Sequence, residues 1–424
     1  MKALAKDTLD ARIAGLSFAP GGWAGPARAD ALARLQAVGL PGKRDEYWRY
    51  TDPSTLTQAD APVAAVFVAD DETPVFDAID RLRIVFVDGV FDAAQSDDLT
   101  MAGVSIERLA VMTDIHWARD LYGVLETRGQ TPVPRPLAVL NTAFATDGML
   151  IRVMGQAARP VNLIYHQTSD SSDAILHHCI KVDAGAQLTI LENGPAAARF
   201  NKVMEVEVGD GAAFHHIRMQ GRAHARRAAT HIFARLGHKA LFKSFSLTAN
   251  GILTRNDAVL ELVGNDSKAH IAGASVGDGA FHHDDTVFIT HAGLRCESRQ
   301  VFKNVLMNGA VGVFQGKILV KQGAQKTDGY QISQALLLDG DSQFLAKPEL
   351  EIYADDVKCS HGSTSGAIDE TALFYLRSRG ILARAAQALL VLAFLAEALG
   401  EIEDADIADD IRTRLEGWLA RHDH

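Results

Sequence analysis

A chain of 424 residues with 47% hydrophobic and 22% charged residues has the composition of a globular protein with a substantial core, which excludes disorder as its overall state. Its formal net charge of -11 opposes binding to nucleic acid, because attraction to phosphates needs clustered Lys and Arg. Met1 to Gly22 carries Asp7, Asp10 and Arg12, unlike a secretory signal peptide, and the longest apolar stretch, Ala385 to Leu399, falls short of the ~20 residues a membrane span needs.

Three scattered cysteines, Cys179, Cys296 and Cys359, form no CxxC pair and fit a reducing compartment. A cytoplasmic location is therefore expected. The 16 histidines, most of them between His166 and His361, make metal chemistry conceivable.

In chain order, Thr8 to Leu40 is rich in Ala and Leu at helical spacing, and Gly39 with Pro41 ends it. Lys43 to Asp52 is a polar, aromatic run containing Tyr47, Trp48 and Tyr50, which reads first as a surface turn anchored by its rings. Leu82 to Phe91 reads as two short strands across an Asp88-Gly89 turn. From about Leu150 to Tyr353, short β-branched strands are broken every few residues by Gly, Asp or Asn, the pattern of a sandwich, barrel or solenoid.

An internal echo chooses among these. Val208 to His216 (VGDGAAFHH) returns as Val276 to His283 (VGDGAFHH), with a weaker copy from Val182 to Ala186. Tight glycine corners before strands suit stacked coils, so the fold class is mainly β, a right-handed parallel β-helix with helical ends. The expected domains are 1–145 helical and mixed, 146–362 the β-helix, and 363–424 a small helical domain. The paired histidines of the echo point to opposite faces of a strand and cannot hold one ion together. They are assigned structural roles at the coil edges.

After Gly366 the helical period returns. Asp369 and Glu370 open a helix whose last turn holds Arg377 and Arg379, with Gly380 as its cap. Ala383 to Leu399 is apolar nearly all round, so it is expected to be buried. Ile407, Ile411, Leu415 and Trp418 form the stripe of a last amphipathic helix.

The densest chemistry lies in Lys347 to Gly366 (KPELEIYADDVKCSHGSTSG). In an extended chain Asp355, Val357, Cys359 and His361 share one face. A thiolate and an imidazole about 7 Å apart on that face could both reach iron or zinc. Tetrahedral iron-sulfur or zinc centres need about four ligands, so the rest would come from elsewhere, plausibly another subunit. The competing reading makes Cys359 a small buried apolar residue and His361 a satisfied polar one. No P-loop, no GxGxxG opening a helix after a strand, no HExxH and no GxSxG occurs, so nucleotide hydrolysis would belong to a partner.

Pro348 to Gly362 (PELEIYADDVKCSHG) and Glu370 to Ile381 (ETALFYLRSRGI) resemble the C-terminal hallmark of the SufB/SufD family of the SUF iron-sulfur cluster assembly system. Leu140 to Phe144, Thr146 to Gly148, Thr327 to Gln331 and Leu336 to Leu338 support the resemblance. The Lys43 to Thr51 run and the modest length resemble the SufD branch rather than the longer SufB. The resemblance implies a right-handed β-helix between helical domains and a scaffold subunit that is not itself an enzyme. It implies pairing with SufB and binding of the ATPase SufC by the segment with Asp369, Glu370, Phe374, Tyr375, Arg377, Arg379 and Gly380. It also implies a nascent iron-sulfur cluster or iron shared with SufB, with reduced flavin in the complex and a role in iron acquisition.

By that resemblance His361 is a metal ligand and Cys359 its neighbour in the site, and a homodimer is expected when SufB is absent. Two other readings stand beside it: a cytoplasmic, homo-oligomeric β-helix metal-binding protein, and a β-helix enzyme acting on carbohydrate.

Overall fold

The computed structural model describes residues 2–67, 73–112, 117–221 and 224–421. In chain order the elements are helices α1 (Lys2–Ala14), α2 (Gly25–Val38) and α3 (Ser54–Thr57), strands β1 (Leu82–Val87), β2 (Val90–Asp92) and β3 (Val104–Arg108), then α4 (Val124–Arg128) and α5 (Pro136–Phe144). The coiled region follows as β4 (Met149–Val153), β5 (Val161–His166), β6 (Asp173–Val182), β7 (Gln187–Asn193), β8 (Arg199–Val208), β9 (Ala213–Gln220), β10 (Arg227–Leu236) and β11 (Leu241–Ala249). It continues with β12 (Leu253–Leu262), β13 (Lys268–Asp278), β14 (His282–His291), β15 (Glu297–Met307), β16 (Val311–Val320), β17 (Asp328–Leu337), β18 (Gln343–Ile352) and β19 (Lys358–Gly366). Helices α6 (Glu370–Ser378), α7 (Ala383–Leu399) and α8 (Ala405–Arg421) close the chain.

Odd- and even-numbered strands of the coil separate into two sheets, one running β19-β17-β15-β13-β11-β9-β7-β5-β1-β2 and the other β18-β16-β14-β12-β10-β8-β6-β4-β3. From β4 onward neighbouring strands pair in parallel, as in Leu241↔Lys268 and Lys268↔Glu297. This is a two-sheeted parallel β-helix of about 7 turns. Its interior is filled by alternate residues such as Leu188, Val206, Phe214, Phe242, Leu260 and Phe314, because side chains on a strand alternate faces.

At some corners of the coil glycine is required sterically. A Cβ on Gly264 would lie 2.1 Å from the carbonyl carbon of Gly237, and one on Gly293 would lie 2.4 Å from the carbonyl oxygen of Gly264. Successive turns stack so closely there that only glycine fits.

The expected hairpin forms, β1 against β2 around Asp88 and Gly89, and β1 also joins the coil beside β5. The expected helix from Thr8 to Leu40 is two helices, divided where Gly15, Pro20, Gly21 and Gly22 break the helical path. α2 stops at Gly39, whose φ is +82°. α2 and α5 then bury Ala31, Leu35, Ala138 and Val139 over Ile175, Cys179 and Val203 on the outer face of the coil.

The Lys43 to Asp52 run is a surface turn anchored by its rings, as expected, with Lys43 to Glu46, Arg49 and Asp52 exposed. Tyr47, Trp48 and Thr51 are buried, and the segment lies as a strap across the outer face of β12, β14, β16 and β18. Tyr47 donates to Glu349 at 2.8 Å, and its carbonyl accepts from Arg255 and Gln315. Thr51 Oγ1 donates to Asp284 at 2.5 Å. Lys347 pairs with Glu46 at 2.6 Å with its ammonium 3.9 Å from the Tyr47 ring centre, and the Arg255 guanidinium lies 4.2 Å over Trp48.

At the other end, Val391, Leu395, Ala398, Ile407, Ile411, Leu415 and Trp418 pack on Ile217, Phe245, Leu247, Ala272 and Val301 of the odd-numbered sheet. The amphipathic stripe of α8 forms as expected. α7 is less buried than its composition suggested: Leu389 is 48% exposed and Leu382, just before it, 80%. Only one face of α7 meets the coil, so apolarity on the other faces is left outward. Among the described residues no helix is long and apolar enough to cross a membrane.

Candidate functional site

The coil ends at β18 and β19, the terminal strands of the two sheets, and no further strand among the described residues pairs with either. β19 ends at Gly366, past the expected limit of 362. Lys358 to Gly366 pairs with Asp328 to Leu336 of β17, which sets Cys359 beside Gly329 and His361 beside Gln331. Asp355 and Val357 precede the strand; Val357 still packs with Cys359 on the cluster of Ile318, Val320 and Ala324, whereas Asp355 is exposed in the bend before it. The bend intervenes because the chain must round a corner between β18 and β19.

Cys359 and His361 both stand on the face of β19 that continues the coil interior. Cys359 is half-buried, its Sγ 3.2 Å from where a Gly329 Cβ would lie, against the cluster of Ile318, Val320, Ala324 and Ala354. Burial raises its thiol, the Gly329 N–H opposes this, and the Asp328 charge adds to it. A proton must therefore leave before the sulfur can bind metal. His361 is exposed, with an imidazole free of hydrogen bonds and ion pairs among the described residues. Residues 359 and 361 are thus brought to one exposed end, where they could supply two of the four ligands an iron-sulfur or zinc site needs.

The helix expected after the coil is α6. Asp369 caps it, accepting from the N–H groups of Thr371 and Ala372. Glu370 and Arg377 lie in its first and last turns, Arg379 just beyond it, and Gly380 follows with φ +86°. α6 buries none of its residues fully, and Phe374 is 73% and Tyr375 54% exposed. With Leu382 and Leu389 they leave large apolar side chains outward on the C-terminal helices, which marks a surface made for contact.

Two buried polar centres escaped the sequence reading. On the outer face of the coil, His177, Cys179 and Glu205 bring ligand atoms within 4.8 Å of one another. Their valences are already taken. Glu205 accepts from the N–H groups of Gly123, Leu125 and Glu126 and bonds His177 at 2.8 Å, and His177 also bonds Asn141. Burial, reinforced by Glu205, holds the Cys179 thiol well above its ordinary value. This centre ties α4 and α5 to the coil and is not built for an ion.

Inside the coil, Glu192 accepts from Tyr165 at 2.7 Å, from Lys202, and from His216 at 2.7 Å, and all four residues are buried. His216 of the echo thus lies in the interior and not at a coil edge, while its neighbour His215 points outward to Glu403. Each lies alone inside a β-branched run, and sequence gives no sign of which strands stack above one another.

The SufBD core domain of the SUF iron-sulfur cluster assembly system matches residues 165–394. SufD of Escherichia coli is 28% identical over 407 residues, covering 91% of this chain and 90% of that protein. SufD of Bacillus subtilis is 27% identical over 277 residues, 63% of each chain, and protein ABCI7 of Arabidopsis thaliana, a chloroplastic protein, is 28% identical over 248 residues, 57% of this chain and 52% of that one. The matched core reaches from β5 through the last coil into α7, so the geometry of the coil end, its Cys359 and His361, and the exposed α6 all lie within it, and the chain belongs to the SufBD family of iron-sulfur cluster assembly proteins.

Proposed function

We propose that this chain is a non-catalytic scaffold subunit that builds an iron-sulfur cluster jointly with a SufB-type partner and is driven by a SufC-type ATPase. The observation that carries the reading is the end of the coil: a free imidazole and a thiol on one strand face, at sheet edges that no other strand covers. Unpaired edges favour addition of another strand, and a partner seated there would bring its own ligands to His361 and Cys359. Iron and sulfide are the cargo of this site. A neutral imidazole ligates iron directly, whereas Cys359 must first lose a proton that burial strengthens. The exposed Phe374 and Tyr375 of α6 and the neighbouring Leu382 fit the ATPase contact, and the subunit's role in iron acquisition follows from holding an open ligand at the assembly edge.

His361→Ala in the co-expressed complex is expected to keep assembly and thermal midpoint while strongly lowering iron and sulfide content, with Cys359→Ala milder. Equal cluster content in the parent and His361→Ala complexes would remove the ligand role.

A further inference from the structure

The interior face of the odd-numbered sheet carries an unusual column toward the coil end. Register aligns Ile271 with Gln300, Gln300 with Gln331, and Gln331 with His361. Gln300 and Gln331 are both 0% exposed, and in each both amide atoms lack a hydrogen-bond partner. Leaving a buried amide unpaired is destabilising, and an apolar residue of similar shape would avoid that loss. The Gln331 side chain lies within 2.6 Å of where a Gly316 Cβ would be, so a glycine on the opposite sheet makes the room it occupies. The next residue along the column is the unpartnered imidazole of His361.

We propose that Gln331 is the positioning residue of His361, its carboxamide oxygen accepting the imidazole Nδ1–H. Parallel neighbours stand about 4.8 Å apart, within reach of a glutamine amide turned along the column. In this arrangement Nδ1 is turned toward β17 and Nε2 is left with its lone pair free for a ligand. Histidines that ligate metals characteristically have their other ring nitrogen held in this way, which fixes tautomer and ring direction. The Gln331 amide N–H groups then face the Gln300 oxygen, so the two orphaned amides and the imidazole satisfy one another in one chain. The use of this arrangement for iron rests on the reading of His361 as a ligand; the hydrogen bond itself does not.

The test is made on the full isolated chain without metal, labelled with ¹⁵N at histidine, by long-range proton–nitrogen correlation at pH 8, His361 being assigned from the signal lost in His361→Gln. The expected result is a predominantly Nδ1–H ring at His361, the minor form of a free imidazole. Gln331→Met, unbranched and of similar length, should shift the ring at least threefold toward Nε2–H with the circular dichroism unchanged, and Gln331→Glu, which keeps the acceptor, should restore Nδ1–H. A predominantly Nε2–H ring in the parent chain overturns the proposal, as does an unchanged tautomer in a folded Gln331→Met protein. Should Gln331→Met fail to fold, the parent spectrum and the Gln331→Glu spectrum still decide. In the co-expressed complex Gln331→Met should weaken iron retention about tenfold, and that measurement reports on the ligand role and not on the hydrogen bond.

Discussion

Lowering the pH from 7 to 5 is expected to unfold the coil through its buried histidines. His216, His231 and His291 are buried, and burial above all holds each imidazole down to about 4. An unfolded imidazole titrates near 6.5, so between these values the unfolded chain takes up protons that the folded chain refuses. Stability is complete above pH 6.5 and falls as the pH drops toward 4. For an unfolded value near 6.5 and a folded value of about 4, the loss from pH 7 to pH 5 is roughly 2 kcal/mol per histidine. Three together lose roughly 6 kcal/mol, comparable with the whole stability of a typical domain, about 5–15 kcal/mol. His178, His166, His215 and His282 are lowered as well, burial being the first cause in each, so they act in the same direction. Urea unfolding followed by circular dichroism at pH 7, 6 and 5 measures the effect. His291→Gln isolates one contribution, because His291 bonds Ser298 at 2.8 Å and pairs with no carboxylate among the described residues; it should recover roughly 2 kcal/mol of the loss. A urea midpoint that stays fixed from pH 7 to pH 5 would refute the reasoning.

Phe374→Asp with Leu382→Asp should abolish binding to a SufC-type ATPase in a pull-down while leaving the melting curve unchanged, since both side chains are exposed; retained binding would move the contact elsewhere. These point changes are preferable to deleting Asp369 to His424, because α7 and α8 cover Phe245 and Leu247 and their removal would strip the coil. Trp48→Ala should cost about 3–5 kcal/mol, read by urea unfolding, since Trp48 is buried with Leu56, Leu137 and Leu253; a loss below about 1 kcal/mol would mean that the strap is not anchored by its rings. Light scattering of the isolated chain at high concentration should show a dimer formed through the open coil end, and a strict monomer would exclude self-association there.

The coil was legible because its signals are local. Glycine corners such as Gly209 to Gly211 and Gly277 to Gly279, and β-branched runs between them, declare turns and strands without reference to the rest of the chain. Asp369 and Gly380 likewise marked both ends of α6. Cys359 and His361 could be read as facing alike because two residues on one strand share a face whatever surrounds them. Asp355 could not, since the bend at Asp355 and Asp356 depends on where the next strand must lie. That the rings of Tyr47 and Trp48 anchor their turn was legible, but not on what: Arg255, Asp284 and Glu349, which hold the segment, are all more than 200 residues away. The interior group of Glu192, Lys202 and His216 is invisible in the same way, because opposite charges on neighbouring strands are recognised only once the register is known.

The strap also sets an order of events during synthesis. Tyr47 leaves the ribosome long before its partner, since its hydroxyl bonds Glu349, 302 positions later. Until β18 has been wound there is no surface for that bond, and Trp48 has no complete bed before Arg255 is in place. The segment is therefore latched in steps as the coil is wound, at Arg255, then at Asp284, and last at Glu349 and Lys347. Chains truncated before β18 would carry that aromatic segment without its final latch.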